Sequence, residues 1–138
     1  VPITVPRDQD LIKLGTQVIR SGWLALVRAE FSLSMVSLAQ LLGTYAATVK
    51  TWEDGSAFQV WKESSRRAAK FYLGYLDTLA KLQRAGISPA DLISLRTASM
   101  YLGKPGPSVR QDCVAGDLTC LDLGVLGMFV WKKDVGRP

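Results

Sequence analysis

The sequence predicts a mainly α-helical protein with a small β-hairpin near its C-terminal end, and three observations carry that expectation. Apolar residues recur at helical spacing through most of the chain, and the runs are punctuated by glycines and capping residues rather than by strand-like alternation. Residues 57–85 hold no proline and one glycine, Gly74, so they read as one long amphipathic helix, or two. Beyond Gly116 the pattern changes. Leu118, Cys120, Leu121 and Leu123, a Gly124 to Gly127 turn, and then Met128 to Trp131 read as two strands joined by a hairpin.

Taken in order, Val1 to Pro6 carries two prolines among β-branched residues and reads as an extended arm. Asp8 and Asp10 suit a helix N-terminus, and Leu11, Ile12, Leu14, Val18 and Ile19 supply its apolar stripe as far as Ser21-Gly22. Helical periodicity resumes from Trp23 to Phe31. Ser34 is the expected N-cap of a helix over Met35–Leu42, Gly43 its turn, and a further helix is expected over 46–52, ended by Glu53-Asp54-Gly55. In the long segment Ala68, Tyr72, Tyr75, Leu79 and Leu82 mark the buried stripe, while Lys62, Arg66 and Lys70 lie four apart and share another face with Arg67 beside them. Phe58, Trp61, Phe71, Tyr72 and Tyr75 read as core aromatics rather than a base-stacking platform. Ser88 and Pro89 fit the N-cap and first position of the next element. Two short helices follow, over 95–102 and 108–114, separated by Gly103-Lys104-Pro105-Gly106-Pro107.

The 138 residues are 48% apolar, enough to bury a core for one domain or two very small ones. No uncharged apolar run reaches the roughly 20 residues that span a bilayer, and no basic-then-apolar leader opens the sequence. The expectation is a soluble protein of the bacterial cytoplasm or nucleoid, with no membrane partner. Two cysteines and no histidine cannot complete a zinc ligand set, and Cys113 and Cys120 are expected to be buried thiols rather than a disulfide. Without histidine the common general base is missing, and no Gly-rich phosphate loop appears. No enzyme activity, metal or cofactor is expected. The formal charge of +5 is unevenly placed: residues 1–55 carry five basic and five acidic groups, 56–90 six and two, and 91–138 six and five. The excess cationic charge lies in the middle, as suits a segment that runs along phosphates.

The stretch Leu33-Ser34-Met35-Val36-Ser37-Leu38-Ala39-Gln40-Leu41-Leu42-Gly43, followed by Tyr45-Ala46-Ala47-Thr48-Val49-Lys50-Thr51-Trp52-Glu53 and Gly55, resembles the helix-turn-helix of the lambda-repressor/Cro (Xre) family. Leu38 and Leu42 face inward, Ala39 is small where two helices cross, Gly43 permits the turn, and Val49 and Trp52 pack the second helix on the first. Arg28 falls where the family often has arginine. Met35 departs from the family, which commonly places a polar phosphate contact there. The resemblance implies that the second helix enters the major groove with Tyr45, Ala46, Ala47, Lys50 and Thr51 towards the DNA. Ala46 and Ala47 can offer only apolar contact, whereas Tyr45, Lys50 and Thr51 can hydrogen-bond to bases or phosphates.

The later stretch Ile93-Ser94-Leu95-Arg96-Thr97-Ala98-Ser99-Met100-Tyr101-Leu102-Gly103, with Ser108-Val109-Arg110 and Gly116-Asp117-Leu118, resembles the winged helix-turn-helix of phage excisionases and MerR-like regulators. That resemblance implies that Ser108, Arg110 and Gln111 face DNA, that Lys104, Lys132 and Lys133 lie near phosphates, and that a wing touches backbone or minor groove. The tip expected for the wing, Val125-Leu126, is apolar, which suits packing on protein or insertion into a groove.

Together these readings divide the chain into an N-terminal helix-turn-helix domain over 1–56, a basic connector helix over 57–87 presenting Lys62, Arg66 and Lys70, and a winged domain over 88–138. The expected function is sequence-specific binding of double-stranded DNA by a transcriptional repressor of a phage or mobile element, acting sterically as a homodimer or as a monomer with two reading units. The alternatives are an architectural protein that bends DNA for recombination, and an antitoxin-like adaptor working through protein contacts.

Overall fold

A computed structural model describes residues 7–55 and 59–135. The expected N-terminal arm, Phe58 and the first residues of the expected connector lie outside the described residues. Four helices come first: α1 (Asp8–Arg20), α2 (Trp23–Phe31), α3 (Met35–Leu42) and α4 (Ala46–Glu53). Ser34 caps α3, accepting from the Ser37 N–H at 3.0 Å, and Gly43 closes it with φ of 68°, a backbone conformation that costs glycine nothing. Both are the residues the sequence singles out for those roles.

The long segment forms one helix, α5 (Lys62–Ala85), about 36 Å long at the usual rise per residue. It makes its most extensive packing with α1. Close approach there depends on small residues. A Cβ on Gly15 would overlap the backbone carbonyl of Ser65, and Ala68 and Ala69 lie fully buried on the same helix. Where the backbones meet, Thr16 Oγ1 and Ser65 Oγ share a hydrogen bond of 2.8 Å, so the buried Ser65 hydroxyl is satisfied.

After α5 the capping box Ser88/Asp91 starts only a single 3-10 turn, Pro89–Asp91. A strand that sequence periodicity did not reveal follows, β1 (Leu92–Ser94), and leads directly into α6 (Leu95–Leu102) and α7 (Gly106–Ala115). The expected helix over 108–114 therefore begins two residues earlier, with Pro105 at its N-cap position and Pro107 at its second residue, a position that needs no N–H donor. The hairpin strands are β2 (Cys120–Asp122) and β3 (Met128–Trp131). β3 is central in an antiparallel sheet of order β1-β3-β2, pairing Ile93 with Val130 on one side and Leu121 with Phe129 on the other.

Alternation along β3 decides where the cores sit. Phe129 points into a large cluster that also contains Leu24, Phe31, Leu38, Val49, Trp52 and Phe71, and its ring meets Phe31 edge-on at 5.6 Å. Val130 points the other way, into a smaller cluster with Ile93, Ala98, Val109 and Leu118 beneath α6 and α7. The larger core is continuous from α1 to the hairpin.

Two expectations are resolved here. First, of the two roles open to the apolar hairpin tip, it takes packing on protein and does not project as a wing. Leu126 is buried, Val125 packs on Gly74 in the middle of α5, and Thr78 Oγ1 donates to the Leu123 carbonyl at 2.9 Å. An apolar tip beside a groove opened by a glycine gains more from burial than from projecting into water. Second, Cys113 on α7 and Cys120 on β2 are joined in a disulfide with Cα atoms 5.7 Å apart, not buried thiols; packing of α7 against the hairpin brings together two residues that local sequence leaves unrelated.

Candidate nucleic-acid interface

α4 carries the first set of expected reading residues, and its inner face explains why they are held still. Val49 is fully buried and Trp52 nearly so, both in the larger core with Leu38, Ala39 and Leu42. At its C-terminal end Glu53 receives a two-pronged hydrogen bond from Arg28, Nε to Oε2 at 2.7 Å and Nη2 to Oε1 at 2.8 Å, while Arg28 Nη1 also donates to the Leu33 carbonyl at 3.3 Å. One guanidinium thus ties α2, the entry to α3 and the end of α4 together. The paired carboxylate raises the Arg28 guanidinium above its ordinary range against a smaller opposing effect of burial.

The outward side of α4 is available. Tyr45 occupies the N-cap position with 79% of its surface exposed and makes no side-chain cap, so the first-turn amides are not covered by a side chain. Ala47 and Lys50 are exposed and Ala46 is half-buried. Thr51 is also half-buried, its hydroxyl donating back to the Ala47 carbonyl at 2.9 Å. Beside this face runs a groove of about 600 Å³, whose opposite wall is Gln59, Val60 and the exposed indole of Trp61. Gln59 escapes sequence reasoning because it precedes α5 and belongs to no motif, whereas Trp61, expected among the core aromatics, is exposed instead, because it sits at the N-cap of α5 ahead of the helix's buried stripe.

The basic face of α5 is less open than its spacing implies. Arg66 is committed to Asp8 of α1, Nε to Oδ1 at 2.6 Å and Nη2 to Oδ2 at 2.9 Å, and touches Glu63 at 3.3 Å. The hydrogen bond from Arg66 holds the Asp8 carboxyl below its ordinary range, and Asp8 in turn raises the Arg66 guanidinium. Arg67 donates to the Gly43 carbonyl at 2.6 Å, where it reinforces the turn between α3 and α4, and pairs with Glu63. Lys62 and Lys70 are exposed and, among the described residues, have neither ion-pair nor hydrogen-bond partner.

In the C-terminal part Val109 anchors α7 from below, leaving Ser108, Arg110 and Gln111 exposed. Lys104 is tied to Asp112 at 2.8 Å, which raises its ammonium pKa. Lys132 and Lys133 are exposed beyond β3. Arg110 borders an open cleft of about 620 Å³ between α3 and the α6–α7 pair. Arg96 of α6 borders it too, although nothing in its local sequence marks it as an interface residue. A smaller hollow of about 370 Å³ lies between α3 and α5, with Lys70, Arg67 and Gln40 around it. The structure therefore brings Arg110 and Lys70 to two sides of α3, and Tyr45, Ala47 and Thr51 to the groove along α4.

Among the described residues no three of Cys, Asp or Glu gather as a metal ligand set, and no single helix is long and apolar enough to cross a membrane. Comparison of the chain with family models, with curated proteins and with solved structures returns no match.

Proposed function

We propose that this chain is a sequence-specific double-stranded DNA-binding transcriptional regulator, a repressor of the phage-immunity type that blocks promoters sterically. In this reading α3 and α4 are a helix-turn-helix of the Xre kind, and α6 and α7 form a second unit with the hairpin. The observation that carries it is α4: its inner residues Val49 and Trp52 are locked in the core, its outer residues Tyr45, Ala47 and Lys50 face solvent, and its N-terminus has no side-chain cap. A helix so held offers base-reading groups from a rigid support. Lys62, Lys70, Arg110 and Lys132 supply exposed cationic charge for phosphates. Because one core joins α1–α5 to the hairpin, the two units are held in a fixed relation, and a protomer can present both to one duplex, as a monomer on an asymmetric site or as half of a homodimer on a palindrome.

The DNA-bending alternative loses its wedge, since Val125 and Leu126 are already engaged on the protein. The adaptor alternative keeps one supporting observation: Leu26, Met100 and Val114 are large, apolar and exposed. Selection of the full chain against random duplexes decides between the readings. Repression predicts one enriched motif, asymmetric for a monomer and palindromic for a homodimer, and affinity that falls steeply with salt; no motif, with affinity indifferent to salt, would sink the DNA-reading proposal.

A further inference from the structure

Resting on the DNA-binding reading, we propose that the cleft between α3 and the α6–α7 pair seats one backbone phosphate of the duplex, gripped by Arg96 and Arg110. Arg96 comes from the first turn of α6 and Arg110 from α7, and both side chains are exposed at the cleft. Neither has an ion-pair or hydrogen-bond partner among the described residues. That sets them apart from Arg28, Arg66, Arg67 and Lys104, each paired with a carboxylate.

Among the described residues no acidic side chain lines the cleft, while Ser37 and Gln40 of α3 add neutral donors from the opposite wall. An anion seated between Arg96 and Arg110 would be drawn by both guanidiniums. Guanidinium forks match phosphate oxygens in pairs, which an ammonium cannot do. Leu33, Leu41 and Met128 add apolar lining that suits the carbon face of deoxyribose.

The neighbouring hollow decides in favour of a polymer over a small anion. It shares Gln40 and Leu41 with the cleft and continues to Arg67 and Lys70, so cationic groups extend across α3 instead of closing around one point. A chain of phosphates fits such a track. Arg110 then meets the backbone rather than a base edge, and Arg96 joins it as a residue that positions both units on one strand.

The test uses the duplex recovered by selection, with the full chain and its Arg96→Gln, Arg96→Lys and Arg96→Gln/Arg110→Gln variants. Arg96→Gln is expected to weaken binding by about tenfold at moderate salt, to lower the slope of log affinity against log salt by about 0.9, and to leave the selected motif unchanged. Arg96→Lys should restore the slope but not the full affinity. Scanning single neutral methylphosphonates through the duplex should find one phosphate whose loss weakens the wild type and does not further weaken the double variant. Circular dichroism and thermal melting check that each variant is folded.

Wild-type affinity and slope in the folded double variant would overturn the inference while leaving DNA binding intact. Saturable uptake of inorganic phosphate that does not compete with the duplex would overturn it too. A wild type that selects no duplex is a different failure, that of the underlying reading.

Discussion

Lys50 leaves α4 directly after the fully buried Val49, so its stem starts from a fixed point and only its outer atoms are free to search. Lys50→Ala is expected to weaken specific duplex binding by about 1–3 kcal/mol if the ammonium reads a base, and by less if it meets a phosphate, as measured by competition between specific and random duplexes. Asp8 supports a prediction of a different kind. Its carboxyl titrates below the ordinary 3.8 because Arg66 donates to the ionised form, so the contribution to stability is fully present above that value and is lost as pH falls through the depressed folded value. Urea midpoints followed into acid should show Asp8→Asn losing less stability than the wild type over that range. The same pair marks a limit of sequence reading. Arg66, four residues from Lys62 and from Lys70, belongs by spacing to an open basic stripe, but its partner lies 58 residues upstream and no local pattern reveals it.

Elements whose start and stop are written locally were legible. Ser34 and Gly43 bound α3, the inward Val49 and Trp52 define α4, and the lack of breakers gives α5 its length. β1 was not legible, because three residues hold too little periodicity and its partner Val130 lies far along the chain. The open cationic residues of α4 and α7 were likewise readable, whereas Arg96 became visible only when α3 and α6 were placed beside each other. Gly74 shows how one element depends on another. Inside a helix, alanine is the better residue by about 1 kcal/mol, yet a Cβ here would run into the Val125 side chain. Gly74→Ala should therefore destabilise by about 1–3 kcal/mol in urea, and adding Val125→Ala should recover much of the loss by making room. Full stability of Gly74→Ala alone would mean that the hairpin tip does not press on α5.

At the scale of the molecule, the smaller core beneath α6 and α7 has few large side chains, and the bond between Cys113 and Cys120 reinforces it at the junction of α7 and the hairpin. The bridge spans a sequence separation of 7, a short loop, for which chain entropy gives about 2–3 kcal/mol. Replacing both cysteines by serine should lower stability by that order, and adding a reductant to the wild type should reproduce the loss in a thermal melt. The two cores meet on β3, which sends Phe129 into one and Val130 into the other while bonding to a strand on each side. No part of the hairpin can peel away and leave both cores intact. The backbone amides of Phe129 and Val130 should accordingly be among the last protons in the protein to exchange with deuterium, released only when the whole chain unfolds.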